Sequence, residues 1–287
     1  KLLAIIYFIA FASLSVQIIG LVGENGIIPF KEFLQNSFQN HGIDAFWKLP
    51  NLFWLTEGSN LSLQIVCWLG CLFSVLLLFG IAPQLCLISL FIFYLSLYHA
   101  GQLFLNFQWD TLLLESGFLA IFLHQHPSRL VIFLYHWLLF RLRFLSGLSK
   151  LLSGDPSWSG LTSLSVYFET QPLPHIGAWY AHQLPSWLLQ SGTALVLGME
   201  LIVPLFIFLP RKFRLFAALS TILLQLIIVA TSNHNFINLL TIILCLFLLD
   251  DQFVSRYMPK RVLEFITRQT KNISIQSIAV PLKSAFS

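Results

Sequence analysis

Long apolar runs constrain the fold of this chain more than any other feature. The first run, residues 2–22, contains no charged residue and is long enough, at about 1.5 Å per residue, to cross the hydrocarbon core of a bilayer. Hydrophobic residues make up 57% of the 287 residues, and charged residues only 10%. Because backbone polar groups in lipid must bond within the chain, such runs form helices there. The sequence therefore predicts an all-α, polytopic membrane protein.

About eight transmembrane helices are predicted, with two long extracytoplasmic loops. The long loops are residues 23–60 and 153–187, and both are rich in Pro and Trp. We expect residues 1–251 to form one transmembrane domain. Residues 252–287 then form a basic cytoplasmic tail or the start of a truncated region. The predicted spans are residues 2–22, 61–79, 83–98, about 107–123, 130–152, 188–209, 213–230 and 236–249.

Lys and Arg are distributed unequally between the two sides of the predicted membrane domain. With eight crossings, the loops on one side contain only Lys31 and Lys48, and Lys150 lies at the edge of a helix there. The opposite side collects Lys1, Arg129, Arg211, Lys212, Arg214, Arg256, Lys260, Arg261, Arg268 and Lys271. Because cytoplasmic segments are enriched in cations, both termini are predicted to be cytoplasmic. Three polar segments, residues 106–110, 153–187 and 232–235, would then meet on the extracytoplasmic face.

Charged side chains inside the predicted spans are candidate functional residues. Asp110 and Glu115 enter the membrane with the fourth span, and Glu200 lies in the sixth. A carboxylate in hydrocarbon is costly, so it usually faces protein, pairs with a cation and marks a site. Two structural alternatives stay open: Asp110 caps the N-terminus of its helix, or Glu115 is a buried partner for an arginine.

Depth along the helices suggests which charges pair. Counted from the extracytoplasmic ends, Glu115 and Arg143 lie roughly 12–13 Å deep, whereas Arg141 and Glu200 lie roughly 16–18 Å deep. Matched depth permits the pairs Glu115–Arg143 and Arg141–Glu200.

One face of the fifth span carries four unusual residues. His136, Arg143, Gly147 and Lys150 follow the spacing i, i+7, i+11 and i+14, which places them on one side of a helix. We expect this face to contact protein and not lipid. Its structural alternative is an ion-pair seam between helices.

Several other functions find no support in the sequence. All four cysteines (Cys67, Cys71, Cys86 and Cys245) lie in apolar runs, where they resemble small buried hydrophobes, so neither a metal site nor a cofactor is predicted. The sequence shows no interleaving of basic and aromatic residues that would indicate nucleic-acid binding, and the lipid bilayer is the predicted partner. A Gly-x-Ser-x-Gly nucleophile elbow is also absent, which argues against a lipase.

Motifs along the whole predicted membrane domain resemble one family. Residues 107–110 (Phe-Gln-Trp-Asp), 112–120 and 140–141 carry the resemblance in the spans, and residues 167–174 (Tyr-Phe-Glu-Thr-Gln-Pro-Leu-Pro) carry it in the second loop. The sequence is thereby similar to the lipase maturation factors. On this basis the candidate functional face consists of Gln108, Trp109, Asp110, Glu115, Arg141, Lys150, Glu169, Gln171, Pro172, His182, Glu200 and Asn233.

The resemblance implies a membrane protein that assists the folding and assembly of secreted lipases on the extracytoplasmic, lumenal face. It implies the endoplasmic-reticulum membrane for a eukaryotic protein and the inner membrane for a bacterial one. One departure is that Tyr167 and Phe168 stand where the family tends to have His-Tyr. Family members are also expected to continue into an extracytoplasmic β-rich domain.

A more distant likeness gives the alternative function. Gly147-x-x-Lys150, with Trp158 downstream, is similar to a pattern in the vitamin K-dependent carboxylase superfamily. That likeness implies a membrane enzyme with Lys150 as general base, since a lysine in a water-poor pocket can release its proton near neutral pH. A lysine at a helix end can equally extend to the membrane surface without a catalytic role.

Overall fold

The structure is a computed structural model that describes residues 1–123 and 128–257. Within these ranges the regular structure consists of α-helices and short 3₁₀ segments, without a β-strand. Most of the predicted turn at 124–129 and the basic tail beyond 257 lie outside the described residues. The α-helices are α1 (Leu2–Val22), α2 (Phe30–His41), α3 (Asp44–Lys48), α4 (Asn60–Phe79), α5 (Pro83–Gly101), α6 (Gln108–Ile121), α7 (Arg129–Leu152), α8 (Pro156–Ser159), α9 (Ser163–Glu169), α10 (Ile176–His182), α11 (Ser186–Leu201), α12 (Arg211–Thr231), α13 (Ile237–Cys245) and α14 (Asp251–Tyr257).

Among the described residues, six helical segments are long and apolar enough to cross a membrane. They are Leu2–Val22, Asn60–Phe79, Pro83–Leu105, Arg129–Leu152, Ser186–Phe208 and Arg211–Thr231. This confirms the prediction of an all-α, polytopic membrane protein. The other two predicted spans are shorter: α6 has 14 residues, and the apolar segment Ile237–Leu248 is also below the usual spanning length. A total of eight crossings therefore stays a prediction.

The ends of the spanning helices follow from local sequence signals. Ser59 caps α4 by accepting a hydrogen bond from the backbone of Ser62. The same helix ends at Gly80, whose φ of 78° is easily adopted only without a side chain. Pro83 then begins α5. Its missing N–H costs nothing there, because the first N–H groups of a helix have no partner within the helix. The predicted tight hairpin between the second and third spans is therefore present.

The N-terminal half of the bundle packs around aromatic side chains. Helix α1 lies against α4 and α5, and the fully buried rings of Tyr7 and Phe11 contact the Tyr94 ring of α5 edge-on. Glycines make room for these rings, because a Cβ at Gly70 would overlap Phe11 and a Cβ at Gly117 would overlap the Tyr7 hydroxyl. Large rings and facing glycines thus fix how α1, α4, α5 and α6 approach one another.

Helix α7 connects the two halves of the bundle. It packs against α6 on one side and against α11 and α13 on others, while α12 packs against α13. The second long loop is itself helical: α9 lies against α10 and α11, and α10 lies against α12. The loop therefore folds onto the end of the spanning helices and positions the candidate residues described next.

Candidate functional site

Glu200 of α11 is the centre of a buried charge cluster. Its carboxylate lies 2.5 Å from Lys150 Nζ and 3.4 Å from Arg143 Nη2, both on α7. Lys150 Nζ also donates to Ser146 Oγ at 2.8 Å. Glu200 is only 4% exposed and Arg143 7%, so two cations share one carboxylate away from solvent. The predicted face of α7 with Arg143, Gly147 and Lys150 thus contacts protein.

Gly147 allows the close approach of α7 and α11 at this cluster. A Cβ at position 147 would lie 2.8 Å from Glu200 Cβ and 3.0 Å from Leu201 Cγ, closer than real side chains pack. The missing side chain therefore brings the α11 backbone, with Glu200, to the cationic face of α7. His136, lower on the same face, lies 2.9 Å from the carbonyl oxygen of Phe247.

The pairing expected from depth was wrong. Arg141 pairs with Glu115 of α6, and Arg143 pairs with Glu200 of α11. Depth gives only the position along a helix axis, whereas successive residues turn by about 100°. A rotation of about 200° therefore separates Arg141 from Arg143 and directs them to nearly opposite sides of α7. The direction of each side chain selects the neighbouring helix, and that neighbour supplies the carboxylate. Glu115 is thus an arginine partner, as one of the two structural alternatives predicted, but its side chain is 43% exposed and not buried.

Asp110 is a buried carboxylate bound to a tyrosine. It is 1% exposed, and its Oδ1 accepts a hydrogen bond of 2.6 Å from the Tyr94 hydroxyl of α5. Its Oδ2 has no hydrogen-bond partner among the described residues. The N-cap position of α6 is Phe107 and carries no side-chain cap, and Asp110 lies in the first turn of that helix. Trp109, next to it, stacks on the Phe107 ring at 4.5 Å.

The second loop binds the segment between α12 and α13. Gln171 Nε2 donates to the Thr231 carbonyl oxygen at 3.0 Å and to Ser232 Oγ at 3.2 Å. Asn233 Nδ2 donates to the Leu173 carbonyl oxygen at 3.2 Å. Two of the three segments expected to converge, 153–187 and 232–235, therefore meet. The third segment forms hydrogen bonds with α5, through the pairs Tyr94–Asp110 and Tyr98–Asn106.

A tyrosine–histidine contact links this loop to the charge cluster. The Tyr167 hydroxyl is hydrogen-bonded to His234 Nε2. Burial, and then the positive charge of nearby Lys150, hold the pKa of His234 below its ordinary value of 6.5. Lys150 also lies 5.5 Å from the ring centroid of Trp158 in a cation–π arrangement. The ion pair with Glu200 gives Lys150 a structural role in the bundle.

The remaining candidate residues differ in environment. Gln108, Glu169 and Pro172 are exposed, and His182 is half-buried. His182 Nδ1 has no hydrogen-bond partner among the described residues. Sequence reasoning missed Tyr94 and did not single out His234, because a tyrosine in an apolar run and a histidine in a short polar loop carry no distinguishing pattern. The roles of Tyr94 and His234 become visible only in the structure, which shows their hydrogen-bond partners.

The structure is that of a polytopic membrane protein. Its spanning helices are joined by buried ion pairs, and hydrogen bonds hold the second long loop against one end of the bundle. Residues 1–256 match the family described as the lipase maturation factor transmembrane domain. The chain belongs to the lipase maturation factor family, as its motifs indicated.

Characterised relatives agree with this assignment. Lipase maturation factor 2 of Xenopus laevis is 44% identical over 273 residues, which cover 87% of this chain and 38% of the relative. The human factor 2 is 39% identical over 278 residues (88% and 39%), and the human factor 1 is 34% identical over 279 residues (90% and 49%). The chain thus spans between about two fifths and half the length of these relatives. No solved structure matches it.

Proposed function

We propose that this chain is the membrane part of a factor that assists the maturation of secreted lipases at the lumenal face of the endoplasmic-reticulum membrane. The names of the relatives support a role in lipase maturation. The eukaryotic source of those relatives supports the endoplasmic reticulum, where secreted lipases fold. Secreted lipases are thus the proposed clients.

The observation that carries this proposal is an apolar surface on an ordered loop. Five large side chains between residues 173 and 187 are more than 60% exposed, and we call them the loop surface: Leu173, Ile176, Trp179, Tyr180 and Trp187. Exposed apolar surface of this kind is typical of sites that contact a partner. A folding client exposes apolar surface that such a site can cover.

The loop surface is held in place by the contacts already described. Gln171 and Asn233 join it to the end of α12, and a Cβ at Gly177 would overlap the Ala230 carbonyl oxygen, which brings α10 against α12. These contacts lower the entropic cost of binding, because the backbone that carries the apolar side chains is already held in place. The loop is therefore suited to present these side chains to a client.

The distribution of cations supports a lumenal position for this loop. Among the described residues, Arg129, Arg211, Lys212 and Arg214 lie at the end of the bundle opposite to the loop. Positive residues near helix ends favour the cytoplasmic side, so both termini are cytoplasmic in this proposal.

The proposal is tested in cells that lack the endogenous factor, with each variant made in the full-length protein. Ile176→Ser together with Trp179→Ser removes two side chains of the loop surface that are 74% and 62% exposed. Since both are exposed, the factor should remain folded, while active lipase in the medium should fall about tenfold, as expected when two apolar anchors are lost. Lipase activity is normalised to the lipase protein that is synthesised.

Trp47→Ser is the matched control. Trp47 lies in the first long loop and is 85% exposed, so its loss changes exposed aromatic area on the same side of the membrane, outside the loop surface. It should leave the yield of active lipase unchanged. Equal yields from wild type and the Ile176→Ser/Trp179→Ser variant, with the variant at normal abundance, would overturn client contact through this surface.

A further inference from the structure

A cavity of about 390 Å³ lies between α5, α6 and α7. Apolar side chains form most of its wall, including Phe91, Leu95, Phe118, Leu134 and Trp137. Phe118 and Trp137 are 46% and 45% exposed, so the cavity opens sideways from the bundle. This volume lies in the usual range of small-molecule sites, which are mainly apolar with a few polar groups.

The polar groups of this cavity are the ion pair of Glu115 and Arg141. Their side chains are 43% and 42% exposed, in contrast to the buried Glu200 cluster. Arg141 Nη2 binds Glu115 Oε2. Glu115 Oε1 and Arg141 Nε and Nη1 make no side-chain hydrogen bond to other described residues. The cavity thus offers a ligand a hydrogen-bond acceptor on Glu115 next to a hydrogen-bond donor on Arg141.

The position of this pair along α7 restricts what can reach it. Arg141 is roughly 18 Å from the start of α7 and roughly 17 Å from its end, and so lies near the middle of the bilayer. A charged or zwitterionic phospholipid headgroup is costly to bring from the surface of a hydrocarbon core about 30 Å thick to this depth, whereas a single neutral hydroxyl costs far less. A free carboxylate would be repelled by Glu115. A neutral hydroxyl can both donate to Glu115 and accept from Arg141.

The walls of the cavity favour a lipid over a transmembrane helix of another protein. Helices that pack in membranes use small residues, which let their backbones approach closely. Here the exposed wall consists of Phe, Trp and Leu around a concave space. Such a surface keeps another helix at a distance but covers a narrow apolar molecule well.

We propose that this cavity binds a neutral, hydroxyl-bearing membrane lipid, with the hydroxyl between Glu115 and Arg141 and the apolar body along the aromatic wall. Sterols and diacylglycerols both have this chemistry. The site is independent of the loop surface, so its failure would leave the proposed function untouched.

Photoactivatable lipids test this site in the full-length protein in phosphatidylcholine nanodiscs. The probes are a diazirine-bearing sterol, a diazirine-bearing diacylglycerol and, as a probe without a free hydroxyl, a diazirine-bearing phosphatidylcholine. After irradiation, mass spectrometry should locate sterol or diacylglycerol on peptides from α5, α6 and α7. The probe that labels these peptides shows whether the bound lipid is a sterol or a diacylglycerol. Labelling by phosphatidylcholine should be at least about fivefold weaker, since it has no hydroxyl that could donate to Glu115.

Two variants examine the cavity separately. Leu134→Trp fills it, and the double variant Glu115→Leu/Arg141→Leu removes the polar pair without leaving an unpaired charge. Both should reduce labelling by the hydroxyl lipid to the level of phosphatidylcholine. Leu72→Trp adds the same bulk on α4, where Leu72 is 51% exposed, and should leave labelling unchanged. Equal labelling by all three probes, or labelling that both cavity variants leave unchanged, overturns the proposal. If Leu134→Trp does not fold, the double variant decides.

Discussion

Arg141 and Arg143 are separated by a single residue on α7, yet each binds a glutamate on a different helix. Arg141 reaches Glu115 on α6, and Arg143 reaches Glu200 on α11. The first pair is half-exposed in a lateral cavity, while the second is buried and shares its carboxylate with Lys150. Helix α7 therefore uses its charges to bind two neighbouring helices, and the two ion pairs share no residue.

Glu200 is expected to dominate the stability of the bundle. Glu200→Gln leaves Arg143 and Lys150 without their shared carboxylate, and removing one partner of a buried pair costs about 3–5 kcal/mol. Glu115→Gln should cost less, because the Glu115–Arg141 pair is half-exposed. Thermal unfolding in detergent, followed by tryptophan fluorescence, measures both changes.

Double-mutant cycles check the assignment of partners. Arg141→Leu and Glu115→Leu should be less than additive, because the second change removes the charge that the first left unpaired. Arg141→Leu and Glu200→Leu should be close to additive. Strong coupling between Arg141 and Glu200 would show that the pairs are assigned to the wrong helices.

Gly147 is expected to tolerate no side chain. A Cβ there would lie 2.8 Å from Glu200 Cβ, so Gly147→Ala should push α11 away and destabilise the protein by about 1–3 kcal/mol. Gly198→Ala on α11 is the control, since a Cβ at that position meets no atom within 4 Å. This control should be neutral or stabilising by up to about 1 kcal/mol, because alanine favours helix more than glycine. Equal effects of the two changes would contradict close packing at Gly147.

The sequence was most informative where one physical requirement acted alone. Apolar runs predicted the spanning helices, because hydrocarbon demands uncharged segments with internally bonded backbones. It was less informative about contacts between helices. Depth along the helix could not predict which glutamate Arg141 and Arg143 each bind, since the direction of a side chain around the helix axis determines its partner. The partner of Asp110 is an uncharged tyrosine, Tyr94, which no charge pattern could have indicated.

For the second long loop, the sequence predicted which segments lie near each other but not which hydrogen bonds join them. Segments 153–187 and 232–235 were expected on one face, and the hydrogen bonds of Gln171 and Asn233 join them. Residues 106–110 lead into α6 at the same end of the bundle, where Asp110 and Asn106 bind tyrosines of α5. Topology brings segments to one end of a bundle, but packing decides which of them touch.

Thr170 and Lys212 are expected on opposite sides of the membrane. Both are exposed, and they lie at opposite ends of the bundle. In a background without the four native cysteines, an impermeant maleimide should label Thr170→Cys from the lumenal side of microsomes only after the membrane is opened. Lys212→Cys should be labelled in intact microsomes, since its cationic surroundings favour the cytoplasm. Labelling of both in intact microsomes would overturn the orientation.

His234 should make the loop contacts sensitive to pH. Burial, and then the charge of Lys150, lower the pKa of His234 from 6.5, so the folded protein resists protonation more than the unfolded chain does. Its contribution to stability is therefore fully present above about pH 6.5 and is lost as the pH falls from there towards the folded pKa. Between about pH 7.5 and 5.5, wild type should lose stability with a slope of at most about 1.4 kcal/mol per pH unit from this group. His234→Gln, which stays neutral, should flatten the slope, whereas His41→Gln at an exposed position should not. Thermal unfolding across this range measures the slopes, and an unchanged slope in His234→Gln would show that another group titrates.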